Sequence, residues 1–146
     1  MMDLGESGCS AAILLRPIGH VKRDEADATL RGEKLRARAA RIVLDPALTD
    51  GLLGLEPGSA IVVLCYFHQA SREVLQVHPR GDKDSPLRGV FATRSPARPN
   101  PIAVTSARIQ HIEGSVLHVL GLDALDGTPV VDIKSHAAAF DTAYPA

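Results

Sequence analysis

Short stretches in which apolar and polar residues alternate recur along the chain, and most are bounded by glycine, proline or charged residues. Alternation with a period of two is typical of β-strands that bury one face. The most apolar stretch, 59–67, holds no charged residue and is rich in valine, isoleucine and leucine, which predicts a buried strand. The other predicted strands are 11–21, 35–44, 73–78, 89–92, 102–112, 115–122 and 130–133.

The segments between these strands predict little helix. Asp45 and Pro46 begin a predicted short helix over 46–53, because proline is tolerated in the first turn of a helix. The polar segment 24–34 lacks a sustained period and predicts a loop or one helical turn. Short strands of this kind with one or two short helices indicate an all-β, mostly antiparallel fold, for which we expect a barrel because a barrel has no exposed sheet edges.

Length and composition narrow the class of protein. A chain of 146 residues fits one domain, and we expect a disordered tail at 1–10 followed by the domain at 11–146. Hydrophobic residues make up 45% of the chain but aromatic residues only 3%, so we expect a core of aliphatic side chains. No run is long enough to span a membrane and the first residues do not resemble a secretory signal, which predicts a cytoplasmic protein with no membrane partner.

The two cysteines agree with a reducing compartment. Cys9 lies in the polar tail, and Cys65 lies within the predicted buried strand 59–67. A small core side chain is the simplest role for Cys65, and we expect no disulfide.

Charge is unevenly distributed although the formal net charge is only -1. Segment 16–41 carries eight basic and four acidic residues, and segment 72–108 carries seven and three. If folding brings the two segments to one face, that face could hold RNA phosphates, and its binding would weaken steeply with salt. Ordinary solvated strand and helix faces would show the same pattern, so both interpretations stay open.

Residues 93–101, Thr-Arg-Ser-Pro-Ala-Arg-Pro-Asn-Pro, form an unusual loop. Three prolines within six residues exclude a helix or a central strand, because each lacks an N–H and pushes the residue before it toward an extended conformation. A stiff loop loses little conformational entropy on binding, and its arginines, Arg94 and Arg98, suit a carboxylate or a phosphate. The loop predicts a binding device, with a solvated surface connection as the alternative.

Three blocks of sequence resemble one known family. They are Phe67-His68-Gln69, the string GVFATRSPARPNPI at 89–102, and LDALDGTPVVDIK at 122–134. In order and spacing they resemble the TsaA-like family, also called YaeB-like or TrmO, whose members are S-adenosylmethionine-dependent tRNA methyltransferases. The resemblance extends over roughly half of the chain, and it implies a small closed β-barrel.

The resemblance also implies a ligand, a substrate and an assembly. The cofactor would be S-adenosylmethionine, and the substrate a tRNA adenosine with a threonylcarbamoyl group, methylated on its exocyclic nitrogen. The implied assembly is a homodimer with the cofactor site near the subunit interface. Two family features are missing: a proline-arginine-glutamine element, for which Arg31-Gly32 is the nearest candidate, and the C-terminal domain of the better-known bacterial members. Without them the substrate could differ from theirs.

Individual site residues follow from the matching positions. The resemblance implies that Arg94 and the His68-Gln69 pair hold the polar parts of the cofactor, while Val104 and 120–123 enclose the adenosine. Arg98 and Asn100 would face the substrate or maintain the loop, and aspartates such as Asp126 could be turn residues. No catalytic residue is assigned and no metal is expected. The implied cofactor set is His68, Gln69, Arg94, Val104, Leu120, Gly121, Leu122 and Asp123, and the substrate set is Arg98, Asn100 and Asp126.

Other enzyme classes leave no signature in the sequence. There is no GxGxxG after a strand, no P-loop, no CxxC, no HExxH and no GxSxG, and the six histidines do not have metal-ligand spacing. No feature selects a hydrolase that would use Ser95 and His68. Two alternatives to a methyltransferase stay open: an S-adenosylmethionine-binding sensor without catalysis, and an RNA-binding barrel in which the proline loop is a scaffold.

Overall fold

The fold is built on a closed barrel, in a computed structural model that describes residues 11–146; the predicted tail at 1–10 lies outside the described residues. The eight strands in chain order are β1 (Gly19–Lys22), β2 (Ala40–Leu44), β3 (Ala60–Tyr66), β4 (Gln76–Val77), β5 (Arg88–Gly89), β6 (Ile102–Glu113), β7 (Val116–Leu120) and β8 (Pro129–Ser135). Six of them close an antiparallel barrel in the order β1-β2-β7-β6-β3-β8, and β4 pairs with β5 in a separate hairpin. The predicted all-β barrel is therefore confirmed.

Alternation along the strands fills the barrel interior. In β3, Ile61, Val63 and Cys65 are completely buried, whereas the residues between them are partly exposed. Aliphatic side chains, alanine and this cysteine make up the buried core of the described residues, and Phe67 packs at its margin. Each fully buried aliphatic side chain contributes about 1.5–3 kcal/mol relative to leaving it exposed. A core without buried aromatic rings agrees with the low aromatic content.

The two halves of β6 have different neighbours. β3 pairs with the first half, from Ile102 opposite Tyr66 to Arg108 opposite Ala60. β7 pairs with the second half, from Arg108 to Glu113. No strand of the described chain pairs with the other edge of β6 between Ile102 and Ala107. We call this unpaired stretch the free edge of β6.

Helical segments are short and lie in the connections. They are α1 (Glu33–Arg36), α2 (Ala138–Asp141) and 3₁₀ turns at Glu25–Asp27, Pro46–Leu52, Pro79–Gly81 and Val90–Ala92. The helix predicted at 46–53 is confirmed as a 3₁₀ helix, and the Asp45 side chain caps it by accepting the Ala47 N–H at 3.0 Å. Within residues 11–146, no helix is both long enough and apolar enough to cross a bilayer.

The strand predicted at 11–21 is wrong over most of its length. Only Gly19–Lys22 forms a strand, and Ile13, Leu14 and Leu15 are exposed. Contact with the sheet begins where the Ile18 N–H donates to the Val130 carbonyl at 2.8 Å. An apolar run becomes a strand only where a partner strand lies beside it, and none does before this point.

The strand predicted at 35–44 begins with helix instead. The Arg36 N–H donates to the Gly32 carbonyl and the Ala37 N–H to the Glu33 carbonyl, both at 3.0 Å, and strand β2 starts only at Ala40. One turn of helix buries Leu35, which is almost inaccessible. The alternating arginines resembled a strand because a single helical turn is too short to show its own period.

The buried strand predicted at 89–92 is also wrong. Only Arg88–Gly89 pairs with β4, and the chain then turns, so that Val90 is buried while Phe91 is 81% exposed. The Val90 carbonyl accepts hydrogen bonds from Thr93 Oγ1 at 2.9 Å and Arg98 Nη2 at 3.1 Å. These bonds from the loop stabilise a turn where an isolated apolar run suggested a strand. The strand predicted at 73–78 likewise shortens to Gln76–Val77.

Candidate functional site

A cleft of about 1290 Å³ lies beside the free edge of β6. Its walls come from the α1 region, the segment after β3, the proline loop, the loop before β8 and the region of α2. Of the eleven residues that the sequence implies, the cleft brings together His68, Gln69, Arg94, Arg98, Val104, Asn100, Asp123 and Asp126. Leu120, Gly121 and Leu122 are not among its lining residues.

Val104 presents backbone groups to this cleft. In the β3–β6 ladder the Phe67 N–H donates to the Pro101 carbonyl at 2.8 Å, which makes this a hydrogen-bonded pair. Bonded and non-bonded pairs alternate along an antiparallel ladder, so Val104 and Leu64 form a non-bonded pair, and the N–H and C=O of Val104 point away from β3. Val104 therefore offers a donor and an acceptor side by side, beside a side chain that is 47% exposed.

Arg94 lies next to these groups and is largely unengaged. Its Nη1 donates to the Val104 carbonyl at 3.5 Å, which is long for a hydrogen bond. Among the described residues no carboxylate lies within 4.0 Å of its guanidinium. Arg94 is exposed on a stiff loop, so its guanidinium can bind an anion without first breaking an ion pair.

Arg98, on the same loop, is hydrogen-bonded within the protein. It is half-buried, and its guanidinium donates to the carbonyls of Ser95 at 3.0 Å, Val90 at 3.1 Å and Thr93 at 3.4 Å. Three bonds to one short loop fix the curvature of that loop. For Arg98 this geometry favours the loop-structure alternative over a role in binding substrate.

Arg72 clamps the end of the proline loop from outside. Its Nε donates to the Pro99 carbonyl at 2.7 Å, and its Nη2 to Asn100 Oδ1 at 3.1 Å. The Arg98 N–H donates to the Ser71 carbonyl at 3.1 Å, which adds a backbone connection beside the clamp. Asn100 thus lies in the cleft with its amide oxygen already occupied. The clamp was missed from the sequence, where Arg72 is one basic residue among several in a polar segment.

His68 and Gln69 stand at the end of the most regular buried strand. After β3 the chain turns, with the Ala70 N–H donating to the Phe67 carbonyl at 3.0 Å. Both residues are exposed and line the cleft. The buried strand fixes their backbone, whereas the side chains stay accessible to a ligand.

The stretch 120–123 reaches the cleft only through Asp123. Leu122 is completely buried in the core. The Gly121 N–H donates to the Arg36 carbonyl, and Arg36 Nε donates back to the Gly121 carbonyl, both at 2.9 Å. Gly121 has φ +98, and a Cβ there would lie 3.0 Å from the Ser106 carbonyl oxygen, so only glycine fits this close approach. The stretch supports the cleft from behind.

Arg23 is the main element of this support, and the sequence interpretation missed it. Only 5% of the residue is exposed. Its guanidinium reaches four backbone carbonyls, those of Leu122 at 2.5 Å, Ala124 at 2.6 Å, and Leu35 and Arg38 at 3.4 Å. These carbonyls belong to the loop that lines the cleft and to the α1 region across from it. One side chain thereby holds two walls of the cleft together.

The surroundings of Arg23 explain its electrostatics. Burial lowers the pKa of its guanidinium, while the carboxylates of Asp27 and Asp123 act in the opposite direction. Its backbone N–H donates to Asp126 Oδ1 at 2.8 Å, so this aspartate is held by the protein in the manner of a turn residue. A signal was present in the sequence, because Arg23 follows Val21 by two residues and therefore lies on the inward side of the strand period.

Two further polar residues line the cleft from the C-terminal segment, where the sequence showed no periodicity. His136 Nε2 lies 3.7 Å from Asp141 Oδ2. The same carboxylate oxygen accepts the Ala137 N–H at 2.7 Å, which ties α2 against the end of β8. Within residues 11–146, no group of three or more histidine, cysteine or acidic side chains is arranged to hold a metal ion.

Residues 22–142 match the model of the tRNA-methyltransferase O N-terminal domain. The chain belongs to the tRNA-methyltransferase O family. The match spans the barrel strands from the end of β1 onward, the proline loop, the cleft and α2.

Curated relatives of similar length lie in archaea. A "probable S-adenosyl-L-methionine-binding protein" of Methanothermobacter thermautotrophicus is 41% identical over 133 residues, which cover 89% of this chain and 94% of the relative. An "S-adenosyl-L-methionine-binding protein" of Archaeoglobus fulgidus is 40% identical over 132 residues, which cover 88% and 93%. The similarity to these two relatives thus extends over nearly their whole length.

Solved structures of TrmO share the fold. One TrmO crystal structure superposes with a TM-score of 0.70 at 33% identity and covers 93% of this chain. TrmO from Pseudomonas aeruginosa gives a TM-score of 0.68 at 30% identity, with the same coverage of this chain. This chain spans only 62% and 61% of those two TrmO chains.

Proposed function

We propose that the protein is an S-adenosylmethionine-dependent methyltransferase that acts on tRNA. Membership of the tRNA-methyltransferase O family supports the reaction class, and the names of the archaeal relatives support the cofactor. The acceptor that we propose is the exocyclic nitrogen of a threonylcarbamoyl-modified adenosine. One observation carries the proposal. The Arg94 guanidinium, which has no carboxylate partner among the described residues, lies in the same cleft as the N–H and C=O of Val104, which are not bonded to β3.

These residues fit the chemistry of the cofactor. S-adenosylmethionine carries a carboxylate, which matches the planar fork of Arg94. Its adenine presents an acceptor and a donor on neighbouring atoms, which match the N–H and C=O of Val104. His68 and Gln69 are exposed, line the same cleft and can complete the polar contacts. Of residues 120–123, Asp123 lines the cleft, which supports a direct contact with the ligand for this residue.

When bound, the cofactor would supply a methyl group that its sulfonium already activates. The protein must then hold the acceptor nitrogen in line and keep water away. Alignment of this kind can lower a barrier by up to about 7–11 kcal/mol. Arg94 and Val104 would fix the donor side on a stiff loop and a strand edge, while Ile102 and Leu125 provide apolar surface around the reacting atoms. We assign no general base.

We further propose that two copies of the chain complete the site. Ile102, Val104 and Leu125 are exposed within the cleft, and Phe91, close to Arg94 in the chain, is 81% exposed. A second copy that covered them would remove apolar surface from water and close the cleft. We expect light scattering to give twice the 15.5 kDa chain mass at micromolar concentration. A monomeric mass together with full cofactor binding would exclude this arrangement.

Calorimetric titration with S-adenosylmethionine tests the cofactor site. Arg94→Ala should weaken binding about tenfold, or about 1.4 kcal/mol, whereas Arg88→Ala, which removes an exposed arginine outside the cleft, should leave it unchanged. No heat of binding up to millimolar cofactor would reject the proposal.

Methyl transfer is then measured with tRNA that carries or lacks the threonylcarbamoyl group. Transfer only to the modified tRNA is the expected result. Cofactor binding without transfer to either tRNA would favour the non-catalytic sensor, and transfer to both would leave the reaction class intact but exclude the proposed acceptor.

A further inference from the structure

A continuous row of basic and imidazole side chains crosses four strands on the outside of the barrel. The strand registers place Lys22 of β1 opposite Arg41 of β2, Arg41 opposite His118 of β7, and His118 opposite His111 of β6. The intervening core residues Val21, Ile42 and Leu117 are completely buried, so the row faces outward. Neighbouring strands lie about 4.8 Å apart, so the row is about 14 Å long. We call these four residues the outer row.

The charges of the outer row are little compensated. No carboxylate of the described residues lies within 4.0 Å of Lys22 or Arg41. In the part of the chain that the structure describes, the one acidic neighbour with a close contact is Glu113, whose Oε2 lies 3.7 Å from His118 Nε2. On β8, which lies outside the row, Lys134 is instead paired with Asp132 at 3.0 Å. The outer row is therefore the wall of the barrel that can attract an anionic polymer.

The histidines add planar surface to this charge. The rings of His111 and His118 lie 5.4 Å apart, at an interplanar angle of 50°. Both rings are held on paired strands, so little conformational freedom is lost when a flat group packs on them. Imidazole and guanidinium planes on a sheet are suitable platforms for unpaired RNA bases, and nearby cations bind the phosphates between those bases.

We propose that the outer row binds an unpaired stretch of RNA, in the tRNA substrate, at a surface separate from the cleft. This inference rests on the proposed function in taking tRNA as the partner. Lys22 and Arg41 contact phosphates, and His111 and His118 stack on bases. None of the four lines the cleft, so the outer row would hold the tRNA while the modified nucleotide enters the site.

Affinity for tRNA, measured by fluorescence anisotropy without S-adenosylmethionine, tests the outer row independently of catalysis. Arg41→Glu should weaken binding at least tenfold, and Lys134→Glu, the same charge change on β8 outside the outer row, should weaken it less than twofold. Arg41→Ala should reduce the slope of log affinity against log salt by about 0.7–0.9, the value for one lost phosphate contact. His118→Ala should weaken binding about fivefold and leave that slope unchanged.

Several outcomes would overturn the inference: tRNA that binds Arg41→Glu as tightly as the unaltered chain, equal losses in Arg41→Glu and Lys134→Glu, or no tRNA binding at all. Titration of S-adenosylmethionine into Arg41→Glu should match the unaltered chain, which checks that the cleft is intact. If the cofactor binds but no methyl is transferred, the proposed function fails while a selective loss in Arg41→Glu would still support the outer row. If transfer occurs with undiminished Arg41→Glu affinity, only the outer row fails.

Discussion

Arginines in two regions of the cleft have opposite environments. In the cleft support, Arg23 and Arg98 direct their guanidinium groups at backbone carbonyls, four for Arg23 and three for Arg98. We define the cleft rim as His68, Gln69 and Arg94. Within residues 11–146, the only hydrogen bond of the Arg94 guanidinium is the long one to Val104. The same side chain is thus structural where carbonyls surround it and available for a ligand where they do not.

This difference shows how a small barrel can build a site almost entirely from loops. Arginine side chains hydrogen-bond to the backbone carbonyls of these loops and hold them together. Buried polar groups are costly unless they are hydrogen-bonded, and among the described residues every buried side-chain nitrogen and oxygen has a partner. The support can therefore be rigid while the rim keeps unengaged groups.

Loss of the Arg23 side chain should have the largest effect. Arg23→Met removes the donor from three buried carbonyls and from the partly buried carbonyl of Arg38, so we expect the free energy of unfolding to fall by about 3–5 kcal/mol in urea titrations. Arg94→Met, the matched change in the rim, should alter it by less than about 0.5 kcal/mol. Equal effects of the two substitutions would abolish the distinction between support and rim.

The thiol of Cys65 lies in the barrel interior, where no charged group balances the cost of burial. Burial raises the pKa of Cys65 from 9.0 to about 11. The unfolded chain therefore releases this proton first, so its contribution to stability is constant below about pH 9 and falls as the pH rises toward 11, by up to about 3 kcal/mol. Stability measured against pH in the unaltered chain and in Cys65→Ala isolates this contribution. Parallel pH curves for the two proteins would contradict the prediction.

Loss of the Arg98 side chain should lower the free energy of unfolding less than loss of Arg23, and it should also lower cofactor affinity. Arg98→Ala removes three bonds within the proline loop, and we expect a loss of about 1–3 kcal/mol in the free energy of unfolding. Because that loop carries Arg94, cofactor affinity should also fall several-fold although Arg98 need not touch the ligand. Unchanged stability with a large loss of tRNA methylation would instead return Arg98 to the substrate side.

Sequence reasoning succeeded where local pattern and structure coincide. The uncharged run of valine, isoleucine and leucine at 59–67 predicted β3, and the prolines of 93–101 excluded a helix or a central strand there, because these properties depend on near neighbours in the chain. The strand predicted over residues 11–18 is wrong, because an apolar run becomes a strand only beside a partner strand, which the sequence does not reveal. The site could be located through the resemblance, but its support could not, because Arg23 meets carbonyls about 100 residues away.

The smallest predicted effect is on the cofactor affinity of Arg94→Lys, which distinguishes the charge of Arg94 from the shape of its guanidinium. Arg94→Lys keeps the positive charge but replaces a planar fork by a single ammonium group, which cannot donate two parallel bonds to a carboxylate. We expect calorimetric affinity for S-adenosylmethionine to fall about threefold to fivefold, between the unaltered chain and Arg94→Ala, with unchanged stability. Full retention of affinity in Arg94→Lys would mean that Arg94 acts through charge alone. A loss as large as in Arg94→Ala would assign the contribution of Arg94 to the geometry of its guanidinium. In the cleft support the same geometry binds backbone carbonyls, whereas in the cleft rim it is available to a ligand.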